Sequence, residues 1–284
     1  MKAVIFDIER NSYVDGPGIR TTVFFKGCNL RCAWCHNPES QSAVPQMMFY
    51  KSKCTWCGKC REKCPNSLEK CELCGKCTVY CPNDAREICG KEYTVEEILK
   101  EILKDKALYQ ASDGGVTLSG GECLMQADFC AELLKRLKQN GIHTAVDTCG
   151  FVPRNSFDKV IPYTDVFLYD VKAYDKSVHV KCTGRPNGHI LENLTYLDES
   201  GKSIEIRIPY VPDYNDGEIE KIARFLSGLK NIIKIRVLPY HNYAGSKYAA
   251  LNMENTLPER LPTDKELESA KKLIESITKR TVLT

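Results

Sequence analysis

Eight cysteines between residues 54 and 81 constrain this chain more than any other feature. Cys54-x2-Cys57-x2-Cys60-x3-Cys64-Pro65 is followed by Cys71-x2-Cys74-x2-Cys77-x3-Cys81-Pro82, an internal repeat offset by 17 residues. The segment has few aliphatic side chains and is expected to be held by ligands rather than by a core. Twelve of the sixteen cysteines fall between Cys28 and Cys89, so the enrichment is organised rather than a bias of the whole chain. The N-terminus Met1-Lys2-Ala3-Val4-Ile5-Phe6-Asp7 meets an acid after four apolar residues, and no apolar run is long enough to span a bilayer. That predicts a cytoplasmic protein with no membrane segment. Thiols stay reduced there, and regularly spaced cysteines read as metal ligands or reactive groups before disulfides. With 43% hydrophobic and 27% charged residues, the 284-residue chain can build a globular core as one large domain, or one domain with a small insert. A formal net charge of +3 is too mild to imply a nucleic-acid partner.

The doubled run has the spacing of bacterial ferredoxins, in which three close cysteines bind one 4Fe-4S cluster and the fourth crosses to the other. One cluster is then expected on Cys54, Cys57, Cys60 and Cys81, and a second on Cys71, Cys74, Cys77 and Cys64. The alternative is a pair of structural zinc sites, but zinc motifs seldom use three cysteines at successive x2 spacing followed by Cys-Pro, twice. Cys89 lies outside the repeat and reads as a spare thiol.

A second constellation, Cys28-x3-Cys32-x2-Cys35, follows the apolar run Thr21 to Gly27 and has no fourth cysteine in register. Three thiolates on a four-iron cluster leave one iron open to an exogenous ligand, whereas a third zinc site is the blander reading. Cys123, Cys130, Cys149 and Cys182 have no partner spacing, and Cys130 falls on the apolar face of a helix.

Beyond residue 90 the pattern alternates. Val116 to Gly120, His143 to Thr148, Val166 to Lys172, Ser203 to Val211 and Ile232 to Pro239 read as strands, each followed by a helical pattern, and Thr21 to Gly27 makes six. Helices are expected over Ala127 to Asn140 and Asp216 to Leu229, with Thr94-Val95-Glu96-Glu97 as a capping box opening one that runs into Tyr109. Such alternation means a parallel sheet with right-handed crossovers, as an open or partial barrel or as a doubly wound sheet. Residues 1–48 and 91–284 would form this α/β body, with 49–90 as the insert.

The motif CX3CX2C with an aromatic, Trp34, before its third cysteine resembles that of the radical S-adenosylmethionine enzymes. Gly16-Pro17-Gly18-Ile19-Arg20, Phe24 and Trp34-Cys35-His36-Asn37-Pro38-Glu39 narrow the resemblance to the glycyl radical enzyme activating enzymes, and the two-cluster insert to the branch serving eliminases, dehydratases and decarboxylases. The resemblance implies a partial (β/α)6 barrel whose functional residues sit at the C-terminal ends of the strands. It implies that Gly120, Gly121 and Glu122 meet the amino group of S-adenosylmethionine. Lys172, in Asp170-Val171-Lys172, would meet its carboxylate, and His241 its nucleoside. Asp147, Thr148 and Asp170 would hold a monovalent cation nearby. Trp34 and His36 are expected as further cofactor contacts, His36 beside the cluster rather than on it.

The activity implied is reductive cleavage of S-adenosylmethionine at the cluster of Cys28, Cys32 and Cys35, giving a 5′-deoxyadenosyl radical that takes a hydrogen atom from a glycine Cα of a partner glycyl radical enzyme. The electron would come from flavodoxin or ferredoxin, and the chain is expected to act as a monomer. Two rivals are a radical enzyme acting on a small molecule, and an iron-sulfur electron carrier. The signature from Gly16 to Glu39 argues against the first, and an exchangeable iron serves no pure carrier.

Overall fold

The computed structural model describes all 284 residues. Its strands are β1 (Lys2–Ser12), β2 (Arg20–Phe25), β3 (Gln46–Phe49), β4 (Arg86–Cys89), β5 (Lys91–Thr94), β6 (Gly115–Gly120), β7 (His143–Thr148), β8 (Val166–Asp170), β9 (Ser203–Tyr210), β10 (Ile232–Pro239) and β11 (Val282–Leu283). The helices are α1 (Lys59–Lys63), α2 (Lys76–Val79), α3 (Val95–Ile102), α4 (Lys106–Ser112), α5 (Ala127–Gln139), α6 (Arg154–Val160), α7 (Lys176–Thr183), α8 (Gly188–Glu199), α9 (Ile219–Ser227), α10 (Gly245–Ala250) and α11 (Asp264–Thr278).

Nine strands form one sheet in the order β11-β10-β9-β8-β7-β6-β2-β1-β5. From β2 through β6, β7, β8 and β9 to β10 every pairing is parallel. These are the six strands read from the sequence, and the sheet keeps two free edges, at β11 and β5, so the barrel is partial. Val, Ile and Leu dominate because helices cover the outer face while the inner face closes on itself. Val23, Phe25, Val116, Leu118, Val146, Phe167, Ile206 and Val237 are all buried in one core with the inward sides of α5 and α9.

Five strands fall outside these six: β1 and β5 at one side of the sheet, β11 at its other edge, and the separate β3–β4 pair. β1 pairs antiparallel with β2, and β5 antiparallel with β1. The helix expected from Thr94 to Tyr109 is also broken. Its capping box forms, but α3 tightens into a 3-10 turn at Leu103–Asp105 before α4 begins. Asp105 is the reason: buried at 4% exposure, it accepts from Arg10 Nε at 2.6 Å and Thr21 Oγ1 at 3.3 Å, which draws the turn inward.

The cysteine-rich segment stands on a separate two-stranded sheet, β3 against β4. Its backbone repeats as its sequence does. Trp56 and Leu73 (φ 58° and 54°), Gly58 and Gly75 (77° and 76°), and Ser67 and Asp84 (50° and 48°) share the left-handed region, each pair separated by the same 17 residues. The root of the segment is pinned by a fully buried lysine. Lys26 Nζ donates to the Glu39 carbonyl at 2.5 Å and to Gln46 Oε1 at 3.2 Å. Gly90, at φ 98°, lies so close that a Cβ there would strike the Lys26 stem. No helix is long and apolar enough to cross a membrane.

Candidate active site

The three site cysteines follow β2 at its C-terminal end, where an open α/β sheet gathers its connecting loops. Their loop is held from several directions. Arg31 N donates to Thr183 O at 2.8 Å and Ala33 N to Cys182 O at 2.9 Å, tying it to the end of α7. Tyr248 Oη donates to Cys35 O at 3.1 Å from α10, and Thr256 Oγ1 to Ala33 O at 3.0 Å. Burial pushes the Cys32 thiol up to about 12 and raises Cys35, with Lys172 partly opposing the rise at Cys32. Cys28 is instead lowered, first by a hydrogen bond from Cys149. Cys32 and Cys35, raised by burial, need a cationic partner to become thiolates beside Cys28.

Gly120 and Gly121 end β6 directly against this loop. At φ 121°, Gly120 would drive a Cβ into Phe25, and a Cβ on Gly121 would meet Gly27 and Cys28. The Glu122 carboxylate turns inward from the rim. It is fully buried, and accepts from Leu124 N at 3.0 Å, Cys149 N at 2.8 Å and Thr148 Oγ1 at 2.8 Å. Burial raises its pKa, and these donors oppose the rise.

On the next strands, Lys172 Nζ donates to Asp170 Oδ2 at 2.6 Å and is 9% exposed. Burial pushes the ammonium down, but Asp170, Cys32 and Cys149 more than reverse this, and Lys172 stays charged. Asp147 accepts from Ser119 Oγ at 2.7 Å and lies 3.5 Å from Arg207 Nη1. Burial raises its carboxyl to about 6 despite Arg207. Arg207 was not anticipated. It is 7% exposed, lies within 3.8 Å of Asp15 and Glu205 as well, and its Nη2 donates to Val14 O at 2.8 Å. The signal was present in Ser203-Ile204-Glu205-Ile206-Arg207-Ile208, where alternation puts Glu205 and Arg207 on the face opposite the isoleucines.

The residues expected to hold a cation, Asp147, Thr148 and Asp170, all have protein partners here. The two carboxylates face Arg207 and Lys172, and the Thr148 hydroxyl donates to Glu122. Val171 points into the core at 1% exposure. The Trp34 indole is packed among Cys182, Val211 and Tyr240, edge-on to Tyr214, where it anchors the cysteine loop.

His36 and His241 stack with ring centroids 3.9 Å apart, and Tyr243 extends the stack at 4.6 Å. His36 Nε2 lies 2.8 Å from the His241 carbonyl, so this nitrogen carries the proton. Burial lowers both imidazoles, leaving them neutral near pH 7. The Nδ1 of His241 is buried without a partner, a polar atom awaiting a ligand.

Comparison with known proteins decides what this arrangement is. The radical SAM superfamily model matches residues 22–226. Across 97% of both chains the protein is 42% identical to the trans-4-hydroxy-L-proline dehydratase activating enzyme of Clostridioides difficile. It is 40% identical to the choline trimethylamine-lyase activating enzyme of Oleidesulfovibrio alaskensis, over 89% of this chain and 88% of that one. The chain belongs to the radical SAM superfamily, in its glycyl radical enzyme activating branch. A domain of a pyruvate-formate lyase-activating enzyme from Bacteroides vulgatus superposes with a TM-score of 0.51 at 30% identity, covering 60% of this chain and 97% of that domain.

Members of this superfamily use a 4Fe-4S cluster and S-adenosylmethionine, and the residues fit both. Three loop cysteines leave a fourth cluster position free, a charged Lys172 stands by Cys32, and His241 offers an unpaired nitrogen. In the cysteine-rich segment, one cavity is lined by Cys54, Cys57, Cys60 and Cys81, and another by Cys64, Cys71, Cys74 and Cys77. Cys89 is buried beside Met48 and Ala250, and Cys123 and Cys130 lie in the main core.

Proposed function

We propose that the chain activates a glycyl radical enzyme of the eliminase, dehydratase, decarboxylase or formate-lyase type by hydrogen abstraction from a glycine in that partner's C-terminal region. The observation that carries this reading is the placing of three half-buried site thiols at the rim of a partial barrel, with a charged Lys172 beside Cys28 and Cys32. The cluster and S-adenosylmethionine, when bound, supply reductive cleavage of the sulfur–C5′ bond to methionine and a 5′-deoxyadenosyl radical, which takes the hydrogen atom. The chain binds and orients. Lys172 holds the methionine carboxylate, the Gly120-Gly121 backbone comes close to the amino group, and His241 meets the nucleoside. Asp147 and Asp170 oppose the sulfonium charge, with Arg207 fixing Asp147.

The chain holds three clusters, one on Cys28, Cys32 and Cys35 and two in an insert spanning residues 49–90, with Cys64 and Cys81 crossing between halves. The two four-cysteine cavities support this assignment. Eight Lys or Arg in the insert (Lys51, Lys53, Lys59, Arg61, Lys63, Lys70, Lys76 and Arg86) face five acids, and such a surface suits an acidic flavodoxin or ferredoxin as electron donor. Incubating the reduced protein with S-adenosylmethionine tests the reading. 5′-Deoxyadenosine must form, and a glycyl radical signal must appear on an added partner enzyme; cleavage with no such signal on any partner would return the chain to small-molecule chemistry.

A further inference from the structure

Arg86 lines both four-cysteine cavities and takes part in no ion pair. It opens β4 opposite Phe49, and its guanidinium lies over the Phe49 ring, 4.3 Å from the centroid. The side chain contributes to the wall of both cavities. Its Nε is buried without a hydrogen-bond partner. A buried guanidinium nitrogen without an acceptor is costly unless an acceptor arrives with a ligand. The 17-residue repeat makes the placement more pointed. The position equivalent to Arg86 in the first half is Glu69, so the cation occurs in one half only, yet reaches both cavities. Backbone donors already serve the crossing cysteines symmetrically, Leu68 N to Cys64 Sγ at 3.3 Å and Ala85 N to Cys81 Sγ at 3.2 Å.

We propose that Arg86 is a shared electrostatic bridge between the two insert clusters, donating N–H groups to the sulfur of both and setting their reduction potentials together. This rests on the reading of the insert as a two-cluster unit. Two clusters, each carrying four thiolates, repel the electron that either one gains. A fixed cation between them stabilises both reduced states and thereby raises both potentials. Phe49 holds the guanidinium in place through its ring face.

The test is an anaerobic redox titration of the full chain, followed by electron paramagnetic resonance, for the parent, Arg86→Gln and Arg86→Lys, with iron and sulfide assayed on each sample. Arg86→Gln should keep the parent's iron while both insert clusters fall in potential, with the ratio of reduced to oxidised form at a fixed ambient potential dropping about tenfold, or 59 mV for a one-electron couple. The site cluster should not move. Arg86→Lys, which keeps the charge and loses the fork, should shift less. Unchanged potentials at full iron content would overturn the proposal and leave Arg86 as packing for Phe49. A shift confined to one cluster would overturn the bridge. Loss of iron in both variants would make Arg86 an assembly residue and overturn it too. If the parent itself holds iron for the site cluster alone, the two-cluster reading fails first, a result the iron assay separates from all the others.

Discussion

The Nζ of Lys172 lies 2.6 Å from Oδ2 of Asp170, two residues back along the same rim, and the pair faces the site cysteines. An ion pair so little exposed is held ready for a charged ligand, since Asp170 keeps the ammonium protonated while leaving it donors to spare. Lys172→Ala and Asp147→Ala should each weaken S-adenosylmethionine binding by about 1 to 3 kcal/mol, the range for a charge-assisted hydrogen bond, with iron content unchanged. Equilibrium binding to the reconstituted protein checks this; parent-like affinity in both variants would make the stretch a structural ion pair.

Asp147 gives the site a pH dependence. Its carboxyl is raised to about 6 in the folded chain, from 3.8, chiefly by burial. Lowering the pH through 6 protonates it and removes one charge that opposes the sulfonium, so affinity for S-adenosylmethionine should fall below that point. The sign for stability is the reverse. A carboxyl that binds its proton more tightly folded than unfolded gains relative stability as pH falls from 6 towards 3.8. Asp147→Asn should flatten the binding profile in that window.

Glu122 supports the turn after β7. Its carboxylate takes three hydrogen bonds in a fully buried position, so Glu122→Ala should cost about 2 to 4 kcal/mol by leaving several donors unpaired. A thermal or denaturant midpoint close to the parent's, with binding lost, would restore Glu122 to direct contact with the cofactor.

The basic insert predicts salt-sensitive activation. Lys51, Lys53 and Lys63 are exposed, and steering between exposed charges is screened over roughly 8 Å at physiological ionic strength. Activation by flavodoxin should fall steeply with added salt while activation by a small chemical reductant should not. Reversing the three lysines to Glu should reproduce that difference at low salt. Equal rates from flavodoxin in the charge-reversed protein, at full iron content, would mean that the lysines only offset thiolate charge.

The six parallel strands were legible because parallel strands are largely buried and rich in apolar side chains, as β8, β9 and β10 are. β1 was not, because Asp7, Glu9 and Arg10 interrupt it where its outer half is exposed, and β5 is a short polar edge. Within the site, spacing singled out the cysteines and the family resemblance Lys172, but neither carries information on which way a side chain turns. Trp34 adjoins a site cysteine yet packs away from it, and Glu122 follows two glycines at the rim yet folds inward. Arg207 reaches Asp147 from two strands away, a contact set by sheet order rather than by any local motif.

Metal content with cofactor cleavage is the most direct measurement. After anaerobic reconstitution the chain should hold about twelve iron and twelve sulfide, and the joint replacement of Cys28, Cys32 and Cys35 by Ala should leave about eight of each while abolishing 5′-deoxyadenosine formation. A parent with about four iron and two zinc, or a triple variant that still cleaves S-adenosylmethionine, would contradict the account.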